Sequence, residues 1–149
     1  MKLEEIQVLW NEDKIINIAD LGHESVNIPL IHDKYLKIYI DERVRLKGLE
    51  FELAKLTKLK ANYYLGELGE EELNKLGWDQ FLGRITKTQT TILNQYMEAD
   101  NDIIEVKQRL ILIQEKVNYL DSIIKMLNSR GFQIKNALDW LNYSNAKNR

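Results

Sequence analysis

"IIEVKQRLILIQEKVNYLDSIIKML", residues 103–127, decides the fold. Within it Ile103, Val106, Leu110, Ile113, Val117, Leu120, Ile124 and Leu127 alternate steps of three and four without exception. An α-helix completes a turn in about 3.6 residues, so this spacing sets all of them on one stripe. Sustained over such a length, it is a heptad seam that needs another helix to cover it. Ile104, Ile111, Leu112, Ile123 and Met126 widen the apolar face beyond what a two-stranded seam uses.

Working outward, the spacing resumes after "NSRG" (residues 128–131) in Phe132, Ile134, Ala137, Leu138 and Leu141, with Trp140 and Tyr143 beside them. This predicts a last helix, with Gly131 as a turn or bend because glycine reaches positive φ at little cost. Upstream, Asn27, Ile28 and Pro29 read as a helix start, proline being tolerated in the first turn. Nothing from there to about Leu65 stops a helix roughly 54 Å long. Its seam runs through Tyr35, Tyr39, Glu42, Leu46, Leu49, Leu53, Leu56, Lys60 and Tyr63. Residues 3–10 suit a short amphipathic helix, and residues 11–27 show no clean period and read as irregular chain. "GELGEEELNKLG" (66–77) reads as turns around a short acidic helix, and a middle helix is expected from Asp79 to Glu98, ended by "EADND".

Composition supports the same class. The 149 residues are 44% hydrophobic and 30% charged, with one proline and seven glycines, so helix breakers are scarce. The expectation is an all-α chain whose long helices form an elongated bundle. It is read as a single domain (1–149) with three segments, 1–66, 67–100 and 101–149. The apolar helical face exceeds what a chain of this length is expected to cover. That points to a homo-oligomer with Ile113, Val117, Leu120, Ile124, Leu127, Phe132, Ile134, Leu138 and Leu141 at the interface. A monomeric antiparallel bundle that covers itself is the other solution. The absence of cysteine suits a reducing compartment, and no apolar run has the length of a signal-peptide core or a membrane span.

Catalytic patterns are missing. His23 and His32 lack the i,i+4 spacing of a helical metal pair, "LGELG" lacks the lysine of a phosphate loop, and "GEEE" reads as a solvated helix start. No enzyme activity, metal or cofactor is expected. Charge distribution says more. The formal charge is −2, yet "AKLTKLKANYYLG" (54–66) sets Lys55, Lys58 and Lys60 without an acid ahead of Tyr63 and Tyr64. Positive charge gathers again from Lys125 onward, where Lys125, Arg130, Lys135, Lys147 and Arg149 accompany one acid, Asp139. On a helix Lys55 and Lys58 share a face, while Lys60 lies about 200° from Lys58, on the side of the tyrosines. Two readings follow. The lysines are a solvated face of a structural oligomer or partner-binding scaffold, or they bind single-stranded nucleic acid, with lysines on phosphates and rings stacked on unpaired bases. Lys60 stands at a seam position where leucine is expected, which needs water or an anion at its head.

These residues also carry a resemblance. "KLKANYYLG" (Lys58–Gly66) is similar to the K-A-R-L-D-Y-Y-S-G segment of the UvsY-like recombination mediators of T-even-type phages, with Lys58, Lys60, Tyr63, Tyr64 and Gly66 on the matching positions. Leu21, Glu24, Asn27 and "KYL" (34–36) match upstream, and Ala99, Asp100 and Asp102 match downstream. "LDSIIKMLNSRGFQIK" resembles the family's S-R-G-F-x-I-K block through Ser129, Arg130, Gly131, Phe132, Ile134 and Lys135. Residues 67–98 and those after Asp139 match poorly, and Lys60 stands where the family has arginine, a point charge in place of a planar fork. The resemblance implies a ring-shaped homo-oligomer of six or seven subunits that binds single-stranded DNA without sequence preference. It implies help in loading a RecA-like phage recombinase onto strands coated by single-strand-binding protein, in the cytoplasm of the infected bacterial host. It implies that the lysine-bearing helix, here with Lys55, Lys58, Lys60, Tyr63 and Tyr64, is the DNA-binding element and that the C-terminal helical region drives assembly; Arg130 and Lys135 serve either DNA or assembly.

Overall fold

The computed structural model describes residues 1–148 and places the whole seam on one uninterrupted helix, α5, Asn101–Lys147. Before it come α1 (Leu3–Asp13), a single 3₁₀ turn (Ile18–Asp20), α2 (Leu21–Tyr64), α3 (Glu70–Leu76) and α4 (Thr90–Glu98). No strand occurs among the described residues. The all-α expectation holds, with three differences of detail.

First, residues 11–27 are largely helical. Asn17 Oδ1 accepts from the N–H of Ala19 and Asp20 Oδ1 from that of His23, so two side chains satisfy donors where α2 starts. Pro29 therefore lies eight residues past Leu21, inside the helix, and removes one ladder bond there. Second, the expected middle helix shrinks to Thr90–Glu98. Residues 79–89 contain Gly83, Ile85, Thr86 and Thr88, poor helix formers, and Gln89 Oε1 instead accepts from the N–H of Thr86. Third, Gly131 makes no turn, and α5 runs straight through it. A glycine inside a helix costs about 1 kcal/mol relative to alanine, and buried Leu127, Arg130 and Ile134 around it outweigh that. The glycines that do end helices are Gly66 and Gly77, at φ 72° and 71°. At each, the next residue's N–H reaches back to Asn62 or Leu73, closing the helix end.

The chain groups into two compact units, which do not follow the three segments read from the sequence. The first comprises Met1–Val44 and the chain from Ile113 onward. Its core is Ile6, Ile31, Tyr35, Leu120, Ile123 and Leu127, flanked by Leu9, Trp10, Ile38, Tyr39, Tyr119 and Ile124. Here α2 and α5 are antiparallel, since Glu24 pairs with Arg130 and Glu42 with Lys116. Tyr35 is fully buried, meets Trp10 edge to face at 5.5 Å and donates its hydroxyl to Asp13 at 2.7 Å. The second unit, Arg45–Leu112, buries Leu46, Leu73, Ile85, Ile103 and Val106.

The seam is therefore covered largely inside the subunit. Val117, Leu120, Leu127 and Ile134 are buried by the same chain, and Ile113, Ile124 and Leu141 are half-buried. Of the expected interface set, only Phe132 and Leu138 are exposed. The sequence pattern locates a buried stripe but does not say whether the covering helix belongs to the same chain. Here α1 and α2 cover it.

Candidate nucleic-acid interface

The last turns of α2, α3, the loop after it and the first turn of α5 meet in the second unit. Because Lys60 and Tyr63 are seam positions of α2, the helix turns them inward, whereas Lys55 and Lys58 point out and are exposed. Neither Lys55 nor Lys58 has a hydrogen-bond or ion-pair partner among the described residues. Lys60 is the opposite case, only 6% exposed. Its Nζ lies 3.1 Å from Asp100 and 2.7 Å from Asp102, and 4.0 Å over the centroid of the Trp78 ring. Of the two options open to a lysine at a seam position, water or an anion, the structure shows the anion. A lysine at a seam position does require an anion, and the chain supplies two of its own.

Each carboxylate is placed by local structure. Asp100 precedes α5, and its Oδ1 accepts from the N–H groups of Asp102 and Ile103, capping the helix. Its Oδ2 accepts from the Tyr64 hydroxyl at 2.6 Å. Burial pushes the Asp100 carboxyl up, but the bonds from Tyr64, Ile103 and Lys60 outweigh it and hold the pKa below the ordinary aspartate value. Burial likewise opposes the Lys60 ammonium, and Asp102 and Asp100 reverse the sign and hold it above the ordinary lysine value. Burial, then the Asp100 carboxylate, push the Tyr64 hydroxyl far above the usual tyrosine range. The pair stays charged at neutral pH. Asp102 is the exposed member, its side chain 52% accessible against 4% for Asp100.

The tyrosines are also engaged. Tyr63 donates to the carbonyl of Asp79 at 2.6 Å, and Tyr63, Tyr64, Trp78, Phe81 and Tyr96 make a cluster of edge-to-face and tilted rings with centroids 5.0 to 5.9 Å apart. Both tyrosines are half-buried. Beside Lys60 a cleft of about 440 Å³ opens to solvent, lined by Tyr63, Tyr64, Trp78, Asp100 and Asp102 among others. Sequence reasoning misses Trp78 and the roles of Asp100 and Asp102. A charged residue in an otherwise apolar seam is the signal that counter-ions have to lie nearby.

Arg130 and Lys135 belong to the other unit and part company. Lys135 is exposed. Arg130 is 3% exposed, and it donates to the carbonyl of Asp13 at 2.6 Å, to that of Ile15 at 3.3 Å and to Glu24 at 3.1 Å. It clamps the chain between α1 and α2 onto α5, so its guanidinium is engaged inside the subunit.

Comparison with known proteins agrees with this architecture. Residues 9–147 match the model of the family described as the recombination, repair and ssDNA binding protein UvsY. The chain is 22% identical over 139 residues to recombination protein uvsY of Enterobacteria phage T4, covering 93% of this chain and 94% of that one. Crystal structures of the bacteriophage T4 recombination mediator protein UvsY superpose with TM-scores of 0.82 (lattice type IV, 21% identity, 96% of this chain and 99% of that one) and 0.81 (lattice type II, 22%, 97% and 98%). No helix among the described residues is long and apolar enough to cross a membrane. With a family match over nearly its whole length, and the same helical fold, the chain belongs to the UvsY family of recombination, repair and single-stranded-DNA-binding proteins.

Proposed function

We propose that the protein is a recombination mediator that binds single-stranded DNA without sequence preference and helps load a RecA-like recombinase onto strands coated by single-strand-binding protein. Besides the family, the observation that carries this reading is the outward face of α2, where Lys55 and Lys58 are exposed and unpaired among the described residues. Two such charges make a weak site on one subunit, and a homo-oligomer of six or seven would repeat it along one strand. Binding to an oligonucleotide at several salt concentrations tests the reading. Lys55→Ala with Lys58→Ala should weaken binding several-fold and flatten the salt dependence by about 1.4, at roughly 0.7 for each phosphate no longer neutralised on a single strand. Folding stability should change by no more than about 0.5 kcal/mol. An unchanged slope would remove this face from the interface.

Assembly in this proposal uses the apolar side chains that the subunit leaves bare on α5. Phe132 is 73% exposed, and Leu138, Trp140 and Tyr143 follow it. Phe132→Asp with Leu138→Asp should leave the fold intact, lower the mass measured by light scattering and weaken single-strand binding about tenfold or more. A double variant of unchanged mass would place the interface elsewhere.

A further inference from the structure

The Lys60 cluster has one fixed and one exchangeable anion. Asp100 is buried, caps α5 and accepts from Tyr64, so four groups hold it in place. Asp102 is half exposed, lies in the first turn of α5 and pairs through its side chain with Lys60. Its carboxylate oxygen sits 2.7 Å from Nζ at the mouth of the cleft, the separation that an ammonium keeps from a phosphate oxygen. Lys60, Asp100 and Asp102 together carry one net negative charge, which repels a strand. With Asp102 turned out to water, the Lys60 ammonium is open to another anion beside Trp78 and Tyr63.

We propose that the Lys60–Asp102 pair is an autoinhibitory contact, in which Asp102 occupies the place of a backbone phosphate and a single strand gains Lys60 by displacing it. The inference rests on the single-strand-binding reading and adds a restraint on it. Exchange of one anion for another leaves the Lys60–Asp100 pair intact, so the site opens without unfolding the cluster. What is given up is an ion pair whose carboxylate partner already stands half in solvent, and the incoming phosphate replaces it on Lys60. Strand binding is thereby weakened most for strands that offer few phosphates, and long strands that engage several subunits override the restraint.

The test is the affinity for a short oligonucleotide, measured by anisotropy at several salt concentrations. Asp102→Asn keeps an acceptor at the helix start and removes the charge. It should tighten binding about three- to tenfold at low salt and steepen the salt slope by about 0.7, one phosphate more than the parent chain. Glu98→Gln, which deletes an exposed acid nearby on α4, should produce a smaller change without the added slope. Adding Lys60→Gln, which keeps the stem and a donor toward Asp100, should abolish the gain. Amine acetylation read by mass spectrometry gives a second measure. Lys60 should be protected in the parent chain, reactive in Asp102→Asn and protected again by oligonucleotide. Equal tightening by Glu98→Gln, a gain that survives Lys60→Gln, or no gain at all overturns the proposal. A parent chain that binds no single strand overturns the underlying reading instead, and Lys55 and Lys58 with it.

Discussion

Arg130→Ala should lower the unfolding free energy by about 3–5 kcal/mol, a large part of the total for a domain of this size. The guanidinium holds three acceptors from two preceding segments, Asp13 and Ile15 through their carbonyls and Glu24 through its carboxylate. Glu24 is only 15% exposed at its side chain, so its charge is left nearly dry once Arg130 is gone. Arg130→Lys should recover only part of the loss, because one ammonium cannot reproduce a planar fork that reaches two carbonyls and a carboxylate. Urea denaturation checks this, with the slope against denaturant required to stay constant. A change below about 1 kcal/mol joined to a loss of strand affinity would return Arg130 to the DNA surface.

Lys60→Ala should cost about 3 kcal/mol, near the lower end for a broken buried pair, because Asp100 keeps Tyr64 and two backbone N–H groups. Lys58→Ala, two residues away and exposed, should fall within about 0.5 kcal/mol of the parent. By sequence both lysines are candidate phosphate ligands on different sides of α2, and the structure gives Lys60 two carboxylates while leaving Lys58 exposed. A cycle with Asp100→Asn isolates the pair, since removing both partners should cost less than the sum of the single changes. Equal stability for the two lysine variants would mean that the cluster does not hold Lys60. Weaker strand binding by Lys60→Ala is interpretable only beside this measurement, because a loosened α2 terminus also displaces Lys55 and Lys58.

The registers of both long helices are legible in the sequence. Tyr35, Glu42, Leu46 and Lys60 on α2, and Ile103, Val106, Val117, Leu120 and Leu127 on α5, are all buried as the three-and-four spacing requires. Periodicity reports which side of a helix is covered, and tertiary partners then decide the rest. The same ambiguity hid the fate of Lys60 and Arg130. A basic residue beside aromatic rings suits a phosphate and a buried carboxylate equally well, and the sequence distance to the carboxylate is long. Lys60 finds Asp100 and Asp102 some 40 residues on, and Arg130 finds Glu24 across 106 residues. Breakers misled in both directions, since Pro29 and Gly131 lie inside helices whose packed faces outweigh them.

The division into a contiguous unit and a discontinuous one bears on how the chain emerges from the ribosome. Residues 45–112 are consecutive, so every partner of the Lys60 cluster is available once that stretch has been made. The other unit is split, and its clamps join Met1 to Lys116 and Asp13 to Arg130 across 115 and 117 residues. Its α1 and the start of α2 have to wait, uncovered, until the residues from Ile113 onward have been made. Loop closure over such separations is slow, and apolar surface stays open meanwhile. Residues of α1 are thus made over a hundred residues before their partners on α5, so the nascent chain is most exposed to chaperones and proteases just before α5 is finished.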